Sequence, residues 1–105
     1  MNKAIKKKWL KALRSGEYEQ GRGRLCDTSG EVHKFCCLGV LINEVEGFGV
    51  IGRDYAVQEL GYGGMPTAAF RSRVRLSNDA QWRLVSMNDR GKSFTEIADW
   101  IEANL

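Results

Sequence analysis

The central apolar run of this 105-residue chain is Phe35-Cys36-Cys37-Leu38-Gly39-Val40-Leu41-Ile42. Polar residues return at positions 43, 44 and 46, and Gly47 then supplies a helix-ending signal. This pattern predicts a buried helix over residues 37–46. Gly39 lies inside that helix, where glycine costs about 1 kcal/mol relative to alanine. We therefore expect another backbone segment, such as a hairpin, to approach Gly39 closely.

The residues before this run predict a β-hairpin over residues 24–36. Asp27-Thr28-Ser29-Gly30 is a turn-forming set, and its glycine can adopt a positive φ. The residues that follow alternate between polar and apolar, with Val32 on one face of the strand and His33 and Phe35 on the other. This alternation is typical of a half-buried strand.

The N-terminal residues predict an amphipathic helix over residues 3–15. Ile5, Trp9 and Leu13 recur at helical spacing, and lysines fill the other face. Gly16 follows as a left-handed helix end.

The stretch over residues 47–65 carries six of the twelve glycines and predicts no definite element. Its tyrosines, Tyr55 and Tyr62, are unusual in a solvated linker, so we expect a mobile or partner-shaped loop. Met65-Pro66 then resembles a helix start, because proline is favoured at the first helical position, and the helix is expected to continue over residues 67–73.

Two more helices are expected in the last quarter of the chain. Residues 79–87 predict a helix with Trp82 and Val85 turned inward. The last helix begins with a capping box, in which Ser93 is followed three residues later by Glu96.

These elements predict the α+β class, as a small single domain over residues 1–105 with four or five short helices packed on one β-hairpin. The composition agrees, since 43% hydrophobic and 28% charged residues are ordinary for a globular protein. We expect ten residues to form the core: Trp9, Leu13, Phe35, Leu38, Leu41, Ile42, Val85, Phe94, Ile97 and Ile101.

The formal net charge of +3 hides a segregation of charge along the chain. Residues 1–14 carry six basic residues and no acid, whereas the last ten residues carry three acids and no base. A basic face of this kind suits an acidic partner, and the alternative is a solvated helix face. The candidate partner-binding residues are Lys6, Lys7, Lys11, Arg14, Tyr55 and Tyr62.

Arginine clusters open a second possibility, which is binding of nucleic acid or of a small anionic nucleotide. A guanidinium group can form two hydrogen bonds to a phosphate, and tyrosine rings can stack on a base. No recognised nucleic-acid reader motif is present. The candidate anion-binding residues are Arg22, Arg24, Arg71, Arg73 and Arg75.

Residues of catalytic or metal-binding type form no recognisable constellation. Cys26, His33, Cys36 and Cys37 lack the paired knuckle spacing of structural zinc sites, and His33 and Cys36 face opposite sides of the expected strand. Asn88-Asp89 is expected to cap the local backbone rather than to hold a ligand. We therefore expect no catalytic site, no metal and no cofactor.

The cysteines and the apolar runs indicate the cellular compartment of the protein. Three cysteines, two of them adjacent, fit a reducing cytoplasm better than a disulfide framework. No apolar run approaches the roughly 18 to 20 residues that span a bilayer, and the basic start has no continuous apolar stretch of a secretory signal. We expect a cytoplasmic protein without membrane contact.

Two parts of the chain, residues 5–46 and 82–105, resemble a set of small bacteriophage and prophage proteins of unassigned function. The resemblance implies expression inside a bacterial host, and it supplies no catalytic residues. It rests on Tyr18-Glu19-Gln20-Gly21, Arg24-Leu25, Phe35-Cys36-Cys37-Leu38-Gly39-Val40-Leu41, Asn88-Asp89, Gly91, Ser93-Phe94 and Glu96-Ile97-Ala98-Asp99.

The function expected from these observations is non-enzymatic binding of a host macromolecule by a phage or prophage accessory protein. A host protein is the expected partner, and inhibition of a host defence system is one form that such binding takes. The alternative is binding of nucleic acid or of an anionic nucleotide signal.

Overall fold

The computed structural model describes residues 1–27, 29–46 and 65–105, together with the backbone of residues 61–62. Helix α2 (Cys37–Glu46) lies at its centre, with every residue from Cys37 to Asn43 buried. The bounds predicted from the apolar run are confirmed. The indole N–H of Trp9 donates to the carbonyl oxygen of Cys37 at 2.9 Å, and this buried hydrogen bond attaches the N-terminal helix to the start of α2.

The described residues form four helices besides α2, which are α1 (Lys3–Arg14), α3 (Ala68–Val74), α4 (Asn78–Asp89) and α5 (Phe94–Asn104). Helices α1 and α4 each pack against both α2 and α5. The capping box of Ser93 and Glu96 is confirmed at the start of α5, and Gly16 has the expected positive φ of 77°. The α+β class is therefore confirmed, with five helices over the described residues.

The predicted hairpin is present as part of a larger sheet. Strand β2 (Cys26–Asp27) pairs antiparallel with β3 (Lys34–Phe35), as expected of a hairpin. A strand that the sequence did not predict, β1 (Glu19–Gln20), pairs parallel with β3 on its other side, so the order is β1-β3-β2. The partner of β1 lies far along the sequence, and a strand of two residues is too short to show an alternating pattern. Local patterns in the sequence therefore do not predict this pairing.

The close approach expected at Gly39 is confirmed. A Cβ atom built on Gly39 would overlap the carbonyl oxygen of Leu25 and would lie 2.7 Å from the carbonyl carbon of Leu25. The same carbonyl oxygen accepts a hydrogen bond from the backbone N–H of Cys36 at 3.3 Å. Glycine therefore allows the hairpin to rest directly on the backbone of α2.

The helix start expected at Met65-Pro66 is wrong. These two residues form strand β5 (Met65–Pro66), which pairs antiparallel with β4 (Gly61–Tyr62). Helix α3 begins after them, where the hydroxyl of Thr67 accepts a hydrogen bond from the backbone N–H of Phe70. The hydroxyl cap, rather than the proline, sets the helix start.

The inward orientation expected for Trp82 is also wrong, since its side chain is 56% exposed. Val85, expected in the core, is only partly buried. The buried face of α4 is instead formed by Ala80, Gln81, Leu84 and Asn88. Apolar residues occur on both sides of this helix, so their periodicity alone predicts the wrong buried face.

One buried cluster joins the described helices and the three-stranded sheet. The nine other residues expected in the core are all buried. Four further large members of the cluster are Leu25, Phe70, Val74 and Leu76. They were missed because they lie in a loop or on or next to the short helix α3. Within the described ranges, no helix is long and apolar enough to cross a membrane.

Candidate functional site

The basic face of α1 has part of its acidic partner within the same chain. A guanidinium nitrogen of Arg14 lies 2.8 Å from Asp99 and 2.7 Å from Glu102, both on α5. The hydrogen bonds to Asp99 and then to Glu102 raise the pKa of Arg14. The ammonium of Lys6 donates to the backbone oxygen of Glu102 at 3.3 Å. The basic N-terminal and acidic C-terminal segments therefore meet. Among the contacts of the described residues, those of the basic candidates with α5 are made by Lys6 and Arg14, and not by Lys7 and Lys11.

The candidate arginines lie on two different parts of the fold. Arg22 and Arg24 lie in the loop after β1, and both are exposed. Arg71 and Arg73 lie on α3, and Arg75 caps its end with a positive φ of 60°. Arg73 forms an ion pair with Glu46 and lies over the ring of Phe70.

The structure describes the side chain of neither candidate tyrosine. Tyr55 lies outside the described residues, and only the backbone of Tyr62 is described, within β4.

A cleft of about 810 Å³ opens between the three-stranded sheet and the helices α1 and α2. We call it the Tyr18 cleft. Phe35 is buried beneath it, and Val32 is 56% exposed at its edge. Its lining residues are Lys8, Glu17, Tyr18, Glu19, Glu31, Val32, His33, Phe35, Asn43 and Glu44.

The Tyr18 cleft is acidic although the whole chain is basic. Four glutamates line it, and the residues of basic type among the described lining are Lys8 and His33. This site has no signal in the sequence, because its glutamates are scattered between positions 17 and 44. They are brought to one cleft only when β1 pairs with β3.

Tyr18 is the centre of a hydrogen-bond network on one wall of the cleft. Its hydroxyl donates to Glu44 Oε2 at 2.5 Å and accepts from Asn43 Nδ2 at 2.7 Å. Its ring meets the ring of Phe35 edge to face, with centroids 5.0 Å apart. Burial, and then the hydrogen bond to Glu44, raise the pKa of Tyr18 to about 12. The hydroxyl therefore keeps its proton at neutral pH and remains the donor to Glu44.

Asn43 contributes one polar atom that has no partner within the described structure. The residue is only 5% exposed, and its Oδ1 makes no hydrogen bond. The orientation of the amide follows from the network, because the Tyr18 hydroxyl already donates to Glu44 and needs a donor from Asn43. Oδ1 is thus left as a buried acceptor on a residue that lines the cleft.

A second surface, the Trp82 groove, lies along the outer face of α4. It has a volume of about 560 Å³. Next to it, the guanidinium of Arg83 lies over the ring of Trp100, 5.8 Å from the centroid. Its lining residues are Asp79, Trp82, Arg83, Ser86, Met87, Arg90 and Lys92. This groove combines an exposed indole with three basic side chains.

Asn88 joins two motifs that are far apart in the sequence. Its Oδ1 accepts from Gln20 Nε2 at 2.9 Å and from the backbone N–H of Cys37 at 3.2 Å. Its Nδ2 donates to the carbonyl oxygen of Gly21 at 2.8 Å. The neighbouring Asp89 accepts from the backbone N–H of Gly23 at 3.1 Å. Asn88 and Asp89 therefore bind backbone and side-chain groups that are 51 to 68 positions away, and not only the local backbone expected from the sequence.

The three cysteines lie where nucleophilic chemistry is unfavourable. Burial raises the pKa of Cys36 to about 11 and that of Cys37 well above its ordinary value. Burial, and then the charge of Asp27, raise the pKa of the part-buried Cys26 to about 11. Within the described residues, no group of three or more histidines, cysteines and acids could hold a metal ion.

We expect all three thiols of the native protein to react slowly with iodoacetamide at pH 7. A pKa near 11 reduces the thiolate fraction about a hundredfold relative to an ordinary cysteine, and the thiolate is the nucleophile. Cys26 should be labelled first because it is only partly buried. Mass spectrometry over time measures the rates, with urea-unfolded protein as the control. Fast labelling of Cys36 or Cys37 in the native state would contradict this assignment.

Comparison with known protein families gives one match. A family model described as a domain of unknown function (DUF8296) matches residues 1–46, which is less than half of the chain. Comparison with the curated proteins and with the solved structures gives no match. All residues that line the Tyr18 cleft lie within the matched segment, whereas the Trp82 groove lies outside it.

Proposed function

We propose that this chain is a non-catalytic binding protein, and that its Tyr18 cleft receives a basic segment of a protein partner. The observation that carries the proposal is the opposition of charge. Four glutamates surround one cleft in a chain with a net charge of +3. A basic segment satisfies those carboxylates, whereas an acidic partner or a nucleic acid would be repelled from this cleft.

The surface of the cleft suits a ligand side chain that has an apolar stem and a charged end. Phe35 and the ring of Tyr18 provide apolar surface, and the carboxylate of Glu44 lies beside them. Arginine and lysine have this amphipathic form, since their methylene stems cover apolar surface while the cation stays at a polar site. The exposed Val32 adds apolar contact area at the edge.

The resemblance to phage and prophage proteins supports a bacterial setting for this binding. We propose that the partner is a host protein in the bacterial cytoplasm. Inhibition of a host defence system is one outcome that such binding would have. The basic face of α1 then has a smaller role than expected from sequence, because Arg14 and Lys6 already contact α5.

The Trp82 groove favours a second candidate function, binding of single-stranded nucleic acid. An exposed indole can stack on a base, and Arg83, Arg90 and Lys92 can contact phosphates. This surface differs from the arginine clusters expected from sequence, because it lies on α4.

The test uses a short fluorescein-labelled peptide of alternating alanine and arginine, its lysine counterpart, and a labelled single-stranded oligonucleotide. We expect the basic peptides to bind, and binding to weaken as the Debye length falls from about 10 Å at 0.1 M salt to about 3 Å at 1 M. The double variant E17Q/E31Q should reduce peptide binding. The matched control D99N/E102Q removes the same charge from α5 and should leave peptide binding unchanged.

Equal binding by both double variants would contradict the Tyr18 cleft as the site. Oligonucleotide binding that is lost in W82A, without peptide binding, would instead support the second candidate. Fluorescence anisotropy measures every arm of this comparison.

A further inference from the structure

We propose that Tyr18, Asn43 and Glu44 form a guanidinium receptor that selects an arginine side chain of the partner over a lysine. This inference rests on the proposed function, because it specifies the residue that the acidic cleft receives. It is carried by the buried, unpartnered Oδ1 of Asn43 together with the carboxylate of Glu44 beside it.

The network at this wall leaves two acceptors with unused lone pairs among the described residues. The Tyr18 hydroxyl donates a hydrogen bond to Glu44 Oε2, and Asn43 Nδ2 donates one to the Tyr18 oxygen. Asn43 Oδ1 has no partner, and Glu44 has further lone pairs. A ligand that only donates hydrogen bonds therefore matches these two acceptors, and among side chains such groups are the arginine and lysine cations, the protonated histidine ring and the tryptophan indole.

Arginine fits these acceptors better than lysine does. Its planar guanidinium has five N–H donors in a fixed fork, so two can meet the Glu44 carboxylate while a third points to another acceptor. Its flat face can also stack on an aromatic ring, and the ring of Tyr18 lies at this wall. A lysine ammonium is compact and strongly hydrated, so it gains less from a planar array of acceptors.

The other charges at the cleft are consistent with a single cationic ligand group. Glu17, Glu19 and Glu31 favour a cation, whereas Lys8 opposes one and restricts how many cations the cleft accepts. A metal ion does not explain the acidity, because the described residues contain no cluster of three or more ligands that could hold one.

The experiment compares the arginine and lysine peptides of equal length and charge on the wild-type protein. We expect the arginine peptide to bind at least about tenfold more tightly, which is the discrimination that one additional charge-assisted hydrogen bond provides. The variant N43L removes the orphan acceptor and keeps the side-chain size. It should bring the ratio of the two affinities close to one by weakening the arginine peptide alone.

If N43L fails to fold, a second variant, Y18F, tests the same proposal. Y18F leaves the ring in place and removes the hydroxyl that orients both Asn43 and Glu44, so it should also reduce the ratio. E17Q is the matched control at the cleft edge, and it should weaken both peptides while preserving the ratio. Equal wild-type affinities for the two peptides would overturn the receptor and leave the proposed function standing. Failure of both peptides to bind would overturn both.

Discussion

Replacing Gly39 with alanine is expected to remove most or all of the stability of the fold. The new Cβ would overlap the carbonyl oxygen of Leu25, which is backbone and not the end of a flexible side chain. Moving Leu25 away would also break its hydrogen bond with Cys36 and separate the hairpin from α2. We expect a loss of about 5 kcal/mol, which is at the extreme of single substitutions and comparable to the total stability of a small domain.

Urea unfolding followed by circular dichroism measures this loss for G39A. The matched control is G30A, because a Cβ on Gly30 meets only the carbonyl oxygen of Val32 at an ordinary 3.9 Å. G30A should stay within about 0.5 kcal/mol of the wild type. An unfolding midpoint of G39A equal to that of G30A would contradict the close packing of the hairpin on α2.

Replacing Asn88 with alanine is the second change expected to have a large effect. The substitution leaves the backbone N–H of Cys37 and the carbonyl of Gly21 without their partner. It also removes one of the two hydrogen bonds of the Gln20 amide, which still donates to the backbone oxygen of Lys92. Asn88 is fully buried, so water does not replace the lost bonds without rearrangement. Each unsatisfied buried group costs about 1 to 3 kcal/mol, and we expect a total of about 4 kcal/mol.

N104A provides the matched control for N88A. Asn104 is exposed, and its amide donates only to the backbone oxygen of Trp100 in the last turn of α5. The control should change the free energy of unfolding by less than about 0.5 kcal/mol. If N88A were as stable as N104A, the contacts of Asn88 would not support the loops that it joins.

Local signals in the sequence were sufficient for most helices and for the hairpin. The bounds of α2 followed from one apolar run, and the start of α5 followed from the pair Ser93 and Glu96. Both signals act within a few residues. The capping box starts a helix through local hydrogen bonds, and the apolar run predicts burial of the helix. The close approach at Gly39 was also predictable, because glycine inside a helix is unfavourable and usually occurs where another backbone segment approaches closely.

Features that depend on distant parts of the chain were not predictable in this way. Strand β1 is two residues long, and its parallel partner is in β3. The acidic cleft depends on that pairing, so its glutamates appear in the sequence as separate solvated residues. Trp82 was misplaced because the buried face of α4 includes Gln81 and Asn88, and polar residues in a core contradict a simple apolar pattern.

The contacts of Asn88 and Arg14 determine how this chain can fold during synthesis. Arg14 meets Asp99 across 85 positions, and Gln20 meets Asn88 across 68. A nascent chain that ends near residue 46 therefore carries every residue of the Tyr18 cleft without α4 and α5, which support it. High sequence separation slows folding because loop-closure entropy must be overcome first. The binding competence that we propose for the Tyr18 cleft should thus arise late in translation, only after α5 has left the ribosome.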